Sequence, residues 1–148
     1  MRKTVVALVA TSLLAAGTAF AAGDEAVIKY RQSLMKGQSG HLGALFGIVK
    51  GGAGSREHMA VHAQALAAVS GMLIVGFEQR TEGGKTRAKP DIWSDWDGFK
   101  KAAMDMEKAT ADVKTAVASG DDEAIGAALG AAGDGCKGCH KKFRAKKK

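Results

Sequence analysis

The sequence predicts an all-α protein that folds as a four-helix bundle, and two observations carry this prediction. Between glycine clusters at 51–54, 83–84 and 133–135, apolar residues recur with the spacing of a helix. After residue 21, no segment alternates convincingly between apolar and polar residues, and β-branched residues do not cluster. Four amphipathic segments of around 20 residues each have the length that packs into such a bundle.

The N-terminal segment, residues 1–21, is predicted to be a secretory signal peptide. Two basic residues precede a short apolar run, and the segment ends in Ala-Phe-Ala, which fits the small-x-small rule for cleavage. The run is too short for a transmembrane helix, and the alternative is a core helix of the folded domain. We therefore expect residues 22–148 to form one domain that is exported to the periplasm.

The first two helices are predicted at 24–50 and 55–77. In the first, one face carries Val27, Tyr30, Leu34, Leu42, Leu45 and Val49. In the second, one face carries Met59, His62, Leu66, Val69 and Leu73. Ser55 is the residue type that caps a helix N-terminus, so it is expected to start the second helix.

The third and fourth helices are predicted at 95–118 and 121–145. The third has one face with Phe99, Ala103, Met106, Val113 and Val117, and Gly120 is expected to end it. The fourth has one face with Ile125, Leu129, Ala132, Cys136 and Phe143. The acidic residues at 121–123 suit the positive end of its dipole, and the basic tail suits the negative end.

The chain ends in "GCKGCHKKFRAKKK", which contains its only two cysteines, Cys136 and Cys139, followed directly by His140. C-x-x-C-H is the attachment signature of c-type haem. Thiols three positions apart on a helical turn can each add to one haem vinyl group. The neighbouring imidazole then reaches the iron from the same side, so the motif predicts one covalent haem c.

Three other interpretations of the motif were open. A structural zinc site needs about four ligands, and no second C-x-x-C is present. A thioredoxin-like redox pair would sit near a βαβ unit at a helix N-terminus. A structural disulfide is compatible with export, but it leaves His140 unexplained. Glycines at 126, 130, 133 and 135 also suggest that a flat macrocycle lies against the last helix, or that the helix breaks near 133–135.

The formal net charge of +7 lies at the two ends of the chain. Two basic residues belong to the signal segment and six to 141–148, which leaves 14 basic and 15 acidic residues in 22–140. The basic tail is compatible with an acidic partner protein, an anionic membrane surface or a merely solvated C-terminus. No nucleic-acid partner is expected, because no binding motif accompanies the tail and the chain is exported.

At these residues the sequence resembles the class II c-type cytochromes, which comprise cytochrome c' and its low-spin relatives. The C-terminal "CKGCHKKFR" resembles the family's haem-binding end, with Arg144 four residues after His140. The stretch "KPDIWSDWDGF" resembles the start of the family's third helix. In "YRQSLMK", the family places an arginine and, four residues later, the residue on the distal side of the iron; here these are Arg31 and Met35.

The resemblance implies a left-handed antiparallel four-helix bundle, often dimeric, with haem c in its core. It implies that His140 is the proximal iron ligand. Arg31 is expected either to pair with a haem propionate or to pair with a nearby carboxylate, and Arg144 is also expected at the cofactor.

The family presents two functional branches. We expect the low-spin branch, in which Met35 is the sixth ligand and the protein is a periplasmic single-electron carrier that meets a redox partner protein. The stretch "KYRQSLMKGQSGHLGAL" resembles that branch, although the residue type of Met35 does not decide it. The alternative is a five-coordinate, high-spin cytochrome c' that binds nitric oxide or other small gases. No catalytic triad, acid–base pair or substrate-pocket motif is visible, so an enzyme is not expected.

Three histidines lie outside the motif. His58 and His62 share a helical face and could bind a metal ion, but no third ligand lies near them in sequence. His41 points about 240° away from Met35 around the helix, so it is expected at the surface or between helices. Of the two nearby methionines, Met104 and Met106, one is expected in the core and one at the surface.

Overall fold

The computed structural model describes residues 23–146. Within them it contains six α-helices and one 3₁₀ turn, and an isolated bridge between Ala88 and Arg144 is the only β-type pairing. The α-helices are α1 (Asp24–Val49), α2 (Met59–Ser70), α3 (Leu73–Glu78), α4 (Asp91–Ser94), α5 (Trp96–Ser119) and α6 (Asp122–Phe143); the 3₁₀ turn is Arg56–His58.

The predicted all-α four-helix bundle is confirmed. The first arm of the bundle is α1, the second is α2 continued by α3, the third is α5 and the fourth is α6. Helix α5 packs on both α2 and α6, and α1 packs on α2. The second arm is not one continuous helix as predicted, because it turns at Gly71 and Met72. Glycine costs up to about 1 kcal/mol in a helix interior, which makes this the natural place for the turn.

The junction between α5 and α6 follows the predicted chemistry. Gly120 ends α5 in the left-handed conformation, with φ of 74°, which glycine adopts without strain. Asp121 caps α6 by accepting hydrogen bonds from the backbone N–H groups of Glu123 (2.9 Å) and Ala124 (3.2 Å). Helix α6 then runs unbroken through all of its glycines, so the suggested break near 133–135 is wrong.

The buried face of α1 differs from the predicted one at its N-terminal end. Ile28 and Arg31 are buried there, whereas Tyr30 is 49 % exposed. Toward the C-terminal end Leu34, Leu42 and Leu45 are buried as predicted. The apolar pattern alone placed Tyr30 inside because it could not indicate that an arginine takes the buried position.

The segment 79–90, which we call the strap, joins α3 to α4 and is tied down at both ends. Arg31 donates to the carbonyl of Gln79 and to the hydroxyl of Thr81 (3.1 Å). At the other end, the backbone N–H of Lys89 donates to the Phe143 carbonyl (3.0 Å). The strap therefore connects α1 with the C-terminal end of α6.

The predicted signal peptide, residues 1–21, lies outside the described residues. Within residues 23–146, none of the helices combines the length and the apolar composition that crossing a membrane requires.

Replacing Gly84 in the strap by alanine should destabilise the protein by about 1–3 kcal/mol. Gly84 has φ of 88°, and a Cβ placed there would lie 2.6 Å from Cδ1 of the buried Ile28. As a matched control, Gly130→Ala on α6 meets nothing within 4 Å and should stabilise by up to about 1 kcal/mol. Denaturant unfolding of the haem-loaded protein measures both, and equal effects would contradict the strap argument.

Candidate haem-binding site

One end of the bundle encloses a cavity of about 990 Å³, at the upper end of the range of about 300–1,000 Å³ typical of cofactor sites. Its walls come from α1, α3, the strap, α4, the start of α5 and the end of α6. The large apolar side chains of the lining are Met35, Phe77, Ile92, Phe99 and Phe143. Such a cavity suits a large, flat, mostly apolar cofactor.

The C-terminal motif lies on the last two turns of α6 and reaches this cavity. Cys139 and His140 line it, and all three motif residues are half-buried. Cys136, one turn earlier, packs against the core, with its Sγ 3.9 Å from Sδ of the buried Met106. Both cysteines are free thiols. The helix thus presents one thiol and an imidazole at the cavity, with the second thiol one turn earlier on the same helix.

Burial sets the ionisation of the motif. It raises the pKa of both thiols, and the neighbouring Cys136 raises that of Cys139 further. Burial also lowers the pKa of His140, and the cationic Arg144 and Arg87 lower it again. A neutral imidazole keeps a lone pair that can bind a metal, so the surroundings favour the form of His140 that a metal needs.

Met35 lies on α1, one turn after Arg31, and lines the same cavity as His140. It is half-buried and packs against the hydrophobic core. The structure therefore brings together the two residues that the sequence analysis proposed as iron ligands, although they are separated by more than 100 positions in the chain.

Arg31 is 3 % exposed, and its guanidinium is engaged by the protein itself. Nε donates to the Gly76 carbonyl (2.9 Å), while the other two nitrogens donate to the strap. The guanidinium also lies 5.0 Å from the ring centre of Phe77 and 5.1 Å from that of Trp93. Arg31 is thus paired with backbone and hydroxyl oxygens and with two aromatic rings, and not with the aspartate or glutamate side chain that the sequence left open. Burial lowers the pKa of Arg31, which Asp24 partly offsets.

Arg144 follows α6 and lines the cavity with an exposed side chain. Its backbone is fixed by the bridge to Ala88. Beside it, Phe143 is 3 % exposed and meets Phe99 edge to face, with ring centres 5.4 Å apart. Arg144 is thus held at the cavity by the strap on one side and by a buried aromatic pair on the other.

Several cavity residues were missed by the sequence analysis. Phe77 and Ile92 line it from α3 and α4, and the strap contributes Lys85 and Arg87. Only the apolar character of Phe77 and Ile92 hinted at burial, and nothing in the charged strap pointed to a cavity. Trp93 of α4 holds the end of α3 in place by donating its indole N–H to the Phe77 carbonyl (2.8 Å).

The other histidines lie away from the cavity. Nδ1 of His41 on α1 faces Nδ1 of His62 on α2 at 3.0 Å. Their ring centres are 5.3 Å apart, so both nitrogens lie close to the line between the rings, as in an N–H···N hydrogen bond rather than a metal chelate. Among the described residues, no group of three or more metal-binding side chains is present. His41 is interhelical, as expected.

The glycines of α6 do not carry the role suggested for them. Gly126 and Gly130 have nothing within 4 Å of a built Cβ, and Gly133 faces the Phe46 ring at 3.8 Å. Gly135 faces Met106, and none of the four lines the cavity. The cavity lining therefore gives no support to the idea that they let a macrocycle approach the backbone. Met106 is buried and Met104 is 51 % exposed, as expected for that pair.

Known proteins match nearly all of the described chain. The family described as Cytochrome C' matches residues 26–144. Cytochrome c' of Pararhodospirillum photometricum is 40 % identical over 124 residues, covering 83 % of this chain and 99 % of that protein. Cytochrome c' of Rhodospirillum rubrum is 34 % identical over 146 residues, covering 98 % and 99 %. A nitric oxide complex of a cytochrome c prime variant from Alcaligenes xylosoxidans superimposes with a TM-score of 0.78 at 33 % identity, covering 86 % and 99 %.

These matches overturn one prediction. The expected low-spin, His/Met-ligated electron carrier is wrong, because these relatives are named cytochrome c' and a similar solved structure is a nitric oxide complex. The physical reason for the error is that a methionine on the distal side can either bind the iron or merely block it. Its residue type and its place on α1 are the same in both cases.

The resemblance seen in the motifs at Arg31, Met35 and the C-terminal C-x-x-C-H therefore extends over almost the whole described chain. The family match covers residues 26–144, and the helices that it spans form the cavity. The chain belongs to the cytochrome c' family, and its cofactor is a single, covalently attached haem c.

Proposed function

We propose that this protein is a high-spin cytochrome c' that binds nitric oxide or a similar small gas at a five-coordinate haem. The observation that carries the proposal is that His140 and Met35 line one largely apolar cavity. Relatives over the same span are named cytochrome c', and the similar Alcaligenes xylosoxidans structure is a nitric oxide complex. We assign the role of a gas-binding protein rather than that of an enzyme.

Cys136 and Cys139 are proposed to hold the haem through two thioether bonds, with His140 as the proximal ligand. All three lie on the last turns of α6, a continuous helix that fixes their relative positions. The lowered pKa of His140 keeps its imidazole neutral and able to bind. The haem, once held by these residues, would supply an iron that can bind small diatomic gases.

Met35 is proposed to wall the distal side without binding the iron. It lies on α1, and the aromatic residues Phe77 and Phe99 line the same cavity. Apolar walls disfavour charged or strongly hydrated ligands, because no group there replaces their water. A small uncharged gas loses little hydration free energy when it enters, so the lining favours that class of ligand.

Arg31 and Arg144 are proposed to help position the cofactor, in different ways. Arg144 is exposed at the cavity and can reach a haem propionate directly. Arg31 acts through the strap, because three of its nitrogens already hold residues 76–81. Fixing the strap fixes the cavity wall that it forms.

We further propose that the chain works in the periplasm after cleavage of residues 1–21. The family assignment and the form of the N-terminal segment support this placement. A second copy of the chain and a redox partner protein are the expected macromolecular partners.

A visible spectrum of the purified haem-loaded protein tests the proposal. We expect the broad bands of high-spin haem in both oxidation states, and a spectral shift when the ferrous protein meets nitric oxide. The physical reason is that Met35 leaves the sixth position without a protein ligand. A sharp low-spin spectrum in both states, unchanged by the gas, would overturn the proposal.

A further inference from the structure

Five cations lie on the exposed part of the cavity wall. They come from three separate stretches of the chain: one from α1, two from the strap and two from the residues that follow α6. We call them the basic rim: Lys36, Lys85, Arg87, Arg144 and Lys146. All five side chains are exposed. Arg31 also lines the cavity but is buried and engaged by the protein.

The basic rim has no local counter-charge. No aspartate or glutamate of the described chain lines the cavity, and none lies within salt-bridge distance of a rim cation. Acids near the strap and beside the end of α6 are already paired: Glu82 with Arg80, Asp91 with Lys89, and Asp95 with Lys142. The positive charge at the opening is therefore left to solvent.

Most cations elsewhere on the described surface are paired instead, with Lys50, Lys114 and Lys141 as the exceptions. Cations on α1 and α5 pair with acids one turn away, as in Lys29–Glu25, Lys101–Asp105 and Lys108–Asp112. Like charges collected without partners cost stability through self-repulsion. The two propionates of a haem can neutralise at most two of the five rim charges. At least three positive charges then remain around the opening.

We propose that the basic rim is the docking surface for an acidic partner protein that exchanges an electron with the haem. A cluster of positive charge at the opening attracts a negative surface and orients it over the cavity that would hold the cofactor. The rim surrounds a concave opening, which a protruding protein surface fits better than a flat membrane does. The inference rests on the proposed haem site but not on the spin state.

The test follows reduction of the ferric haem-loaded protein by a reduced plant-type [2Fe–2S] ferredoxin, an acidic one-electron donor. One electron passes from the cluster to the ferric iron in each encounter. Stopped-flow rates should fall by at least about tenfold between low salt and about 0.2 M salt, because screening removes the attraction. Hexaammineruthenium(II), a cationic reductant, should show a rate that rises with salt.

Two double variants separate the rim from overall charge. Lys36→Glu with Lys85→Glu reverses two rim charges, whereas Lys50→Glu with Lys114→Glu reverses two exposed charges elsewhere. Along its helix, Lys50 lies fourteen positions from Lys36 and Lys114 lies fifteen from Phe99, or about 21–22 Å in each case. At low salt, the rim variant should lose at least about fivefold in rate with ferredoxin, and the control should stay within about twofold.

Three outcomes would overturn the inference. A salt-independent ferredoxin rate would remove the electrostatic basis, and equal losses in both variants would show an effect of net charge alone. The third outcome is that the wild type and the control variant bind anionic phospholipid vesicles, the rim variant does not, and the ferredoxin rates stay unchanged. That result would assign the rim to a membrane surface. Visible spectra of the variants keep this test apart from the proposed function, since a low-spin wild type would refute gas binding and leave the docking result intact.

Discussion

Replacing both Cys136 and Cys139 by serine is expected to make the haem extractable from the polypeptide. A serine hydroxyl does not form the thioether bonds that we assign to these residues, whereas it preserves their size. Acid–acetone should then strip the haem from the double variant and leave it on the wild type. In a denaturing gel, haem stain should migrate with the wild-type chain only.

The control for this experiment is Met106→Leu. Met106 is buried and is the residue whose sulfur contacts Cys136, so this change disturbs the same part of the core by less than about 1.5 kcal/mol. It should leave the haem covalently bound. Haem that stays attached to the double cysteine variant would refute the assignment, and single variants would show which thiol suffices for attachment.

The fold was predictable because the repeating apolar pattern of each arm is strong. In α5 and α6, residues such as Phe99, Val113 and Leu129 recur at helical spacing and are all buried. The ends of these helices were equally predictable, since Gly120 and Asp121 are residue types that stop and start helices. The turn at 71–72 was not predictable, because apolar residues continue on both sides of it.

The site was predictable only where its residues are adjacent in sequence. The spacing of Cys136, Cys139 and His140 carries its chemistry locally, so a short motif was enough. The rest of the cavity depends on tertiary packing. Arg31 shows this most clearly, because a buried arginine is held by carbonyls 45 to 48 residues away and by two aromatic rings.

The spin state was beyond the reach of the sequence for a different reason. A thioether at position 35 is compatible with ligation and with steric blocking, and the difference between them is a matter of small displacements of Met35 relative to the iron. The identity of the residue does not determine such a displacement, so the sequence could not predict the spin state. The basic rim was only partly foreseen, since the tail predicted positive charge but the strap and Lys36 join it only through the fold.

Changing Met35 should have the largest effect on gas binding, because Met35 lines the cavity and we assign it to the distal wall. Met35→Leu keeps size and apolarity, so stability should change by less than about 1.5 kcal/mol and the visible spectrum should stay high-spin. Met35→Ala removes most of the side chain from the distal side. An entering ligand then has nothing to push aside, and the carbon monoxide affinity of the ferrous protein should rise by about tenfold, equivalent to about 1.4 kcal/mol.

Met104→Ala is the matched control for this pair, because it makes the same chemical change at a residue of α5 that is 51 % exposed and does not line the cavity. Its carbon monoxide affinity, measured by spectral titration, should equal that of the wild type. If Met35→Ala bound carbon monoxide no more tightly than Met104→Ala, Met35 would not be the distal barrier. If the wild type were low-spin and Met35→Leu turned it high-spin, the thioether would be an iron ligand, and the proposed five-coordinate haem would be refuted. A low-spin Met35→Leu variant would require a ligand from elsewhere; His41 is a poor source, because its Nδ1 already faces His62 between α1 and α2.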